Sequence, residues 1–471
     1  GWGGGGKMIT EGLSQNPGSF HPFTQDAENL QCGKQVNKKM LKLIRIIDND
    51  SQSKILRGRC LMFGNYLSDW SQKNHYEQTI LNSKYFPKLI SKKINKKNLD
   101  DNKINLGFVS ADFNYNHSTT FFIKNTIKHM NKDKFNIFIF SFAKKIDQDR
   151  SQNELRELAD YWFDLENQQN QDVVNIIQEN NIKILVDMMG FTCPERIEIF
   201  NSRVSPIQIS WLAYCNTLGF ETIDYIIADD KLIKKEEENQ YTEKVLKLPN
   251  IWNCHSGINE NLSVGDLPYK KNSFITFGCF NNSTKISGNC INLWSKILNE
   301  IKDSKLIIKA QSKDSEIAQY KILEKFEFNK VDKKRIIFEG HKKDKKDHLK
   351  NYSLVDLSLD TFPYPGVTTS FESIWMGVPV LTKRGNNFVS RCGVSIMENV
   401  GLNEFVANDE EDYFNKAISL ANDIEKLTLI RKNLREKARN SPLFDRQTFG
   451  NDFSELVKDM WAIYASNKNN K

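Results

Sequence analysis

The sequence predicts an α/β protein made of two Rossmann-like lobes in tandem, with a helical segment before them and a long helix after them. Three observations carry this. From Ile104 onward, short apolar runs alternate with stretches of helical periodicity, the rhythm of a parallel sheet covered by helices on both faces. The rhythm breaks at a polar stretch, His255–Lys271, and begins again at Phe274. The length of 471 residues suits about three domains.

The chain opens GWGGGGKM, without an initiator methionine, and residues 1–36 are expected to be disordered or a tag or fragment. Residues 37–103 are expected to form a helical segment and linker. In it Met40, Leu41, Leu43, Ile44 and Ile47 share one helical face, and Trp70, Tyr76 and Ile80 continue in a second helix. The stretch Lys92–Lys103 is charged and poor in apolar residues, so it reads as a solvated connector. The first lobe, 104–256, is expected to place strands at Ile104–Val109, Phe135–Phe142, Ile184–Met188, Pro206–Leu212 and Tyr225–Ala228. Its helices are expected at His117–Met130, Gln152–Tyr161 and Val173–Asn180. In the second lobe, 270–445, strands are expected at Phe274–Phe280, Leu306–Lys309, Ile336–Phe338 and Val355–Leu359, with helices at Gly288–Asn299 and Ser370–Met376. Residues 446–471 read as a closing helix, because Phe453, Val457, Trp461 and Tyr464 recur at helical spacing. That aromatic stripe reads as core.

The 66 basic and 59 acidic side chains leave a net charge of +7. The excess suits a phosphorylated ligand but is too diffuse for a nucleic-acid footprint, which needs clustered Lys and Arg. Eight cysteines are scattered without a CxxC pair, so neither a zinc site nor a disulfide framework is expected, and the cytoplasm is the expected location. No run reaches the roughly 18 apolar residues of a membrane span. Two DxD triplets, Asp48-Asn49-Asp50 and Asp147-Gln148-Asp149, have the ligand type for a hard cation. They lie in polar sequence apart from the other motifs and read as solvated charge, so no metal ligand is assigned.

The stretch DTFPYPGVTTSFESIWMGVPVLT, Asp360–Thr382, carries the chemistry. A strand ends at Asp360, then Pro363, Pro365 and Gly366 build a turn, and Thr368 and Thr369 open a helix. A helix N-terminus carries about half a positive charge and free N–H groups, so it can receive a phosphate. Thr369 to Glu372 also fits a capping box, in which Glu372 only returns a bond to the cap. Both readings stand. A second stretch, FGCFNNSTKIS, repeats the logic: an apolar strand to Phe280, polar Asn281–Thr284, then Lys285 before a helix. A lysine there can neutralise a diphosphate or simply be solvated. In such sheets ligands bind beyond the carboxyl ends of the strands.

These two stretches, with SRCGVSIMENVGL, resemble the catalytic region of O-GlcNAc transferases, including bacterial and SPINDLY-type relatives. LGFVSADFNYNHS, IKILVDMMGFT, SPIQISWLAYCNTLGFETIDYIIAD and SPLFD follow the family's order, so the resemblance covers about Asn105 to Tyr464. It implies a GT-B glycosyltransferase with a nucleotide-sugar in the cleft between lobes. The implied reaction is inverting, metal-independent transfer of N-acetylglucosamine from UDP-GlcNAc to Ser or Thr hydroxyls of a protein, with no cofactor. By the same resemblance Lys285 contacts the donor diphosphate, Thr368 and Thr369 bind phosphate, Glu372 holds the ribose and His348 packs on the nucleobase. Asn282 and Gly366 complete the donor set, and His117 is an active-site histidine of the first lobe. His117 also fits a plain helix cap, and a donor phosphate oxygen is an equal candidate for the base. Asn282, Val367, Phe191 and Asn351 stand where parts of the family carry Gln, His, His and Arg, which bears on donor and acceptor. No tandem helical repeats are evident. A GDP-fucose-dependent fucosyltransferase, a nucleotide-sugar epimerase and a non-catalytic binding module are the alternatives.

Overall fold

The computed structural model describes residues 51–93, 103–114, 117–144, 150–309, 315–340, 342 and 344–469. The helix expected over Met40–Ile47 and both DxD triplets lie outside them. The described residues fall into two compact units, one within Asn49–Met62, Gln72–Gly257 and Pro442–Lys471, the other within Phe63–Ser71 and Ile258–Ser441. Among the described residues no helix is long and apolar enough to cross a membrane.

The first unit holds strands β1 (Ile104–Ser110), β2 (Phe135–Ser141), β3 (Tyr161–Asp164), β4 (Ile184–Asp187), β5 (Ile207–Ser210), β6 (Tyr225–Ala228) and β7 (Lys244–Lys247). They form one parallel sheet in the order 3-2-1-4-5-6-7. β1 and β2 are buried along almost their whole length, which is why they read as continuous apolar runs rather than alternating ones. The expected helix over Gln152–Tyr161 ends at Leu158, and Tyr161 instead begins β3. β3 and β7 are partly exposed edge strands, too short and mixed to show a period. The closing helix, Arg446–Asn469, packs Phe453 4.6 Å from Trp211 and 6.3 Å from Phe108, ring to ring. Its stripe is therefore core as far as Met460, while Trp461 and Tyr464 are half-exposed and stack on each other.

The helix Gln72–Ser83 reverses the expectation for its face. Ile80 is exposed, and the buried side is polar: Gln72, His75, Thr79 and Asn82. Each is met by a partner in this unit. Gln72 donates to Asn216 at 2.8 Å, Arg57 donates to Asn82 at 2.7 Å, and His75 Nε2 lies 3.1 Å from the Tyr214 hydroxyl. Burial pushes the His75 imidazole down to about 4, so it sits neutral in this network.

Helix Asn170–Glu179 holds an extended segment of its own unit by two carboxamides. Gln171 accepts from the Ile90 amide at 3.0 Å and donates to the Ile90 carbonyl at 2.7 Å. Gln178 treats Lys92 the same way, at 2.9 and 3.0 Å. Such pairs in exposed positions contribute about 1 kcal/mol. Gln178→Ala is therefore expected to speed tryptic cleavage after Lys92 by about fivefold, with an unchanged circular dichroism spectrum. An unchanged cleavage rate would show that the segment is held by other contacts.

The second unit holds β8 (Thr276–Cys279), β9 (Lys305–Lys309), β10 (Ile336–Glu339), β11 (Leu357–Leu359), β12 (Val380–Lys383) and β13 (Val406–Ala407), parallel in the order 10-9-8-11-12-13. The stretch His255–Lys271 is polar in composition but anchored, since His255, Ile258, Leu262 and Leu267 are all buried. In this sheet the order reverses between β8 and β11. Such a switch point opens a crevice beyond the carboxyl ends of the two strands, and the two motifs singled out in the sequence follow those strands.

Candidate functional site

Asp360, the residue after β11, is the hub of the crevice. Its buried carboxylate accepts hydrogen bonds from the Asn281 carboxamide (3.0 Å), the Thr361 amide (3.0 Å), the Gly366 amide (2.8 Å) and the Thr382 hydroxyl (2.7 Å). Burial raises its pKa above the usual carboxylate range, with the Gly366 amide and the Thr382 hydroxyl pulling it back. The loop 361–367, including the cis Phe362-Pro363 peptide, is thus folded around one side chain. Asn281, from the end of β8, also donates to the Thr361 hydroxyl at 2.8 Å and accepts from the Thr369 hydroxyl. Gly366 leaves no room for a side chain: an added Cβ would lie 2.5 Å from the Thr369 hydroxyl oxygen and against Asn281.

Helix Thr368–Trp375 starts two residues earlier than the sequence suggests, with Val367 as its N-cap and no side-chain capping bond. The Glu372 carboxylate turns away from the helix start. It pairs with Lys345 at 2.8 Å and His348 at 3.0 Å, so the capping box does not form. The amides of Thr368 and Thr369 and the Thr368 hydroxyl have no hydrogen-bond partner among the described residues. An uncapped helix N-terminus with free amides is a site for an anion.

Lys285 stands beside it. Its ammonium donates to the Pro365 carbonyl at 3.0 Å and lies 4.3 Å from the centre of the Tyr364 ring, which fixes the charge against the loop. The Tyr364 ring in turn stacks on Tyr66 at 4.7 Å. Burial pushes the Tyr66 hydroxyl up to about 12, eased by its hydrogen bond with Thr284. Asn282 is exposed and caps the turn Ser283–Lys285 by accepting from the Thr284 amide at 3.0 Å.

Glu372, on the same helix, forms a second group with Lys345 and His348 of helix Lys345–Lys350. Although burial alone would raise the Glu372 carboxyl, the Lys345 charge and the His348 hydrogen bond hold it well below the usual range. Tyr352 bridges the two groups: its hydroxyl donates to the Thr369 carbonyl at 3.1 Å and lies 3.5 Å from Glu372. The His348 ring packs edge-on to Tyr352 at 5.8 Å and 6.1 Å from Phe280.

His117 belongs to the other unit. It caps helix Ser118–Lys128, Nδ1 accepting from the Thr119 amide at 3.2 Å, while Nε2 lies 3.7 Å from Asp112. The structure therefore brings together Lys285, Gly366, Thr368, Thr369, Glu372 and His348, with Asn282 at the edge. Sequence reasoning missed Asp360, Asn281, Lys345 and Tyr66 as members of this group. A carboxylate directly after an apolar strand was the available signal for Asp360. Among the described residues no group of three or more His, Cys, Asp or Glu is placed to hold a metal ion.

Two parallel sheets covered by helices, each built as a Rossmann-like unit, give a GT-B-like α/β architecture. A solved mutant of Thermobaculum terrenum O-GlcNAc transferase has the same fold, with a TM-score of 0.80 at 21% identity, covering 98% of this chain and 93% of that one. The profile of glycosyl transferase family 41 matches residues 81–257 and 266–453, and the chain belongs to that family. It is 33% identical over 366 residues to a Solanum lycopersicum protein described as a probable UDP-N-acetylglucosamine–peptide N-acetylglucosaminyltransferase SPINDLY, covering 76% of this chain and 39% of that protein. It is 26% identical to the Arabidopsis thaliana protein SEC, described as a probable enzyme of the same activity, covering 77% of this chain and 38% of that protein. The chain thus spans about two fifths of the length of these curated relatives.

Proposed function

We propose that this chain is an inverting, metal-independent glycosyltransferase that moves N-acetylglucosamine from UDP-GlcNAc to Ser and Thr hydroxyls of a protein acceptor. The observation that carries the reading is the helix head at Thr368 and Thr369, whose amides have no partner among the described residues while Lys285 stands beside the same loop. In the reaction the acceptor oxygen bonds to the anomeric carbon as the bond to the diphosphate breaks, and the leaving nucleoside diphosphate keeps the electron pair. Negative charge builds on its phosphate oxygen. Preorganised donors aimed at such charge are usually the largest catalytic term, and Thr368, Thr369 and Lys285 supply them.

Glu372 is held ionised by Lys345 and His348, which suits a carboxylate that accepts from the ribose hydroxyls, with His348 against the nucleobase. With Nδ1 of His117 accepting the Thr119 amide, a neutral ring carries its proton on Nε2. That tautomer leaves Nε2 without a lone pair, which favours a donor phosphate oxygen over His117 as the acceptor of the hydroxyl proton. The activity stated in the names of the SPINDLY and SEC relatives supports the donor and the acceptor class.

The greater identity to SPINDLY than to SEC keeps GDP-fucose as a second donor, since the SPINDLY-type resemblance implies it. Calorimetric titration with UDP and GDP separates the two. Preference for UDP is the expected result, a preference for GDP moves the assignment to fucosyl transfer, and binding of neither overturns both.

A further inference from the structure

A cavity of about 70 Å³ lies beside the loop that Asp360 organises, lined among others by Asn65, Ser68, Phe362, Pro363, Lys383 and Asn387. Lys383 ends β12, so it too projects from the carboxyl end of the sheet. Where Lys285 is tied to the Pro365 carbonyl, Lys383 has no hydrogen bond or ion pair among the described residues, and its ammonium meets only the face of Phe362, 5.1 Å from the ring centre. Asn387 is 8% exposed. Its Oδ1 accepts from the Ser390 amide at 3.1 Å and the Ser390 hydroxyl at 2.7 Å. That fixes the orientation of the carboxamide and leaves the Nδ2 hydrogens without an acceptor among the described residues, in the wall of the cavity.

Among the described residues no acidic side chain lines this cavity. An ammonium and a carboxamide NH₂ that make no hydrogen bond among the described residues, lining one cavity, are the donor set of an oxyanion site. We propose that the cavity is an acceptor subsite that takes the carboxylate of an Asp or Glu side chain flanking the hydroxyl to be glycosylated. This rests on the donor assignment above, because that assignment already gives the donor phosphates their partners at Thr368, Thr369 and Lys285. The chemistry seen is that of an oxyanion, so a donor phosphate is the rival source.

The site itself can be tested without any transfer. Binding of malonate and of inorganic phosphate to the full chain is followed by NMR, in wild type, Lys383→Met and Lys383→Arg. Lys383→Met is expected to weaken malonate by about tenfold, and Lys383→Arg to retain it. Equal binding in wild type and Lys383→Met overturns the site, whether or not the chain transfers sugar. In the second arm, arrays of Ser and Thr peptides with Asp, Glu, Asn or Gln at each flanking position are glycosylated with UDP-GlcNAc and with GDP-fucose. A preference for acidic peptides that Lys383→Met abolishes through KM and Lys383→Arg preserves supports the subsite. Transfer without that preference, or weaker UDP binding in Lys383→Met, overturns it, the latter by giving the cavity to the donor. Absence of transfer from both donors, with malonate binding intact, overturns the donor assignment and the acceptor role together while leaving the oxyanion site standing.

Discussion

Replacing Lys285 by alanine is expected to lower kcat/KM roughly 10²–10³-fold, the effect of removing one preorganised donor from a site of developing charge. The ammonium is already aligned, since the Pro365 carbonyl and the Tyr364 ring hold it against the loop. Little reorganisation is then needed when charge appears on a phosphate. UDP affinity should fall with the rate, because the ground-state diphosphate is also negative. Stability should change little, because Lys285 is only half-buried and its ammonium sits at the end of a flexible chain. Steady-state transfer and calorimetry on the purified variant check both. A variant that keeps most of its activity would remove Lys285 from the donor site.

Asp360→Ala is expected to cost about 3–5 kcal/mol, at the upper end of single substitutions, because it strands several buried donors at once. The Gly366 and Thr361 amides would lose their acceptor and the Asn281 carboxamide one of its two, and the loop carrying Thr368 would lose its shape. Asp360→Asn should be far milder. Its carbonyl can replace Oδ1, and its NH₂ can donate to the Thr382 hydroxyl, which simply reverses one bond. Urea unfolding of the two variants separates these outcomes.

The dependence on pH has a definite sign. Burial raises the folded-state pKa of Asp360 above 3.8, so the folded state binds this proton more tightly than the unfolded chain. Its contribution is fully present below the unfolded pKa and is lost as pH rises through the folded pKa. Asn does not titrate, so the variant gains on wild type over that window. Asp360→Asn losing ground to wild type as pH rises would contradict the assignment of burial as the dominant cause.

Much of the fold is legible because the strands that matter are buried on both faces. β1, β2, β4 and β9 stand out as apolar runs, and the break at His255–Lys271 separates the two series. β3 and β7 are not legible, since partly exposed edges carry Tyr, Trp and Lys. β13 is only two residues long. The buried face of Gln72–Ser83 is hidden for a different reason: its partners Asn216 and Tyr214 are distant in sequence, and only pairing makes polar side chains suitable for a core.

The helix head at Thr368 is announced by Pro and Gly, but the choice between anion site and capping box is not. Glu372 is drawn away by Lys345 and His348, which come from another helix. Asp360 likewise acts through Asn281 and Thr382, which three strands bring to one end of the sheet. Local pattern marks the turn. Topology supplies its partners.

The stack of Tyr66 on Tyr364 has a thermodynamic corollary. Residues 360–367 form one hydrogen-bonded body, and Tyr66 reaches it from a segment nearly three hundred residues upstream. Any ligand that binds more tightly when that ring is seated also seats the ring more firmly, by the same factor. Events upstream that lift Tyr66 from Tyr364 must then register as a change in ligand affinity, with no need for either to touch the other's site.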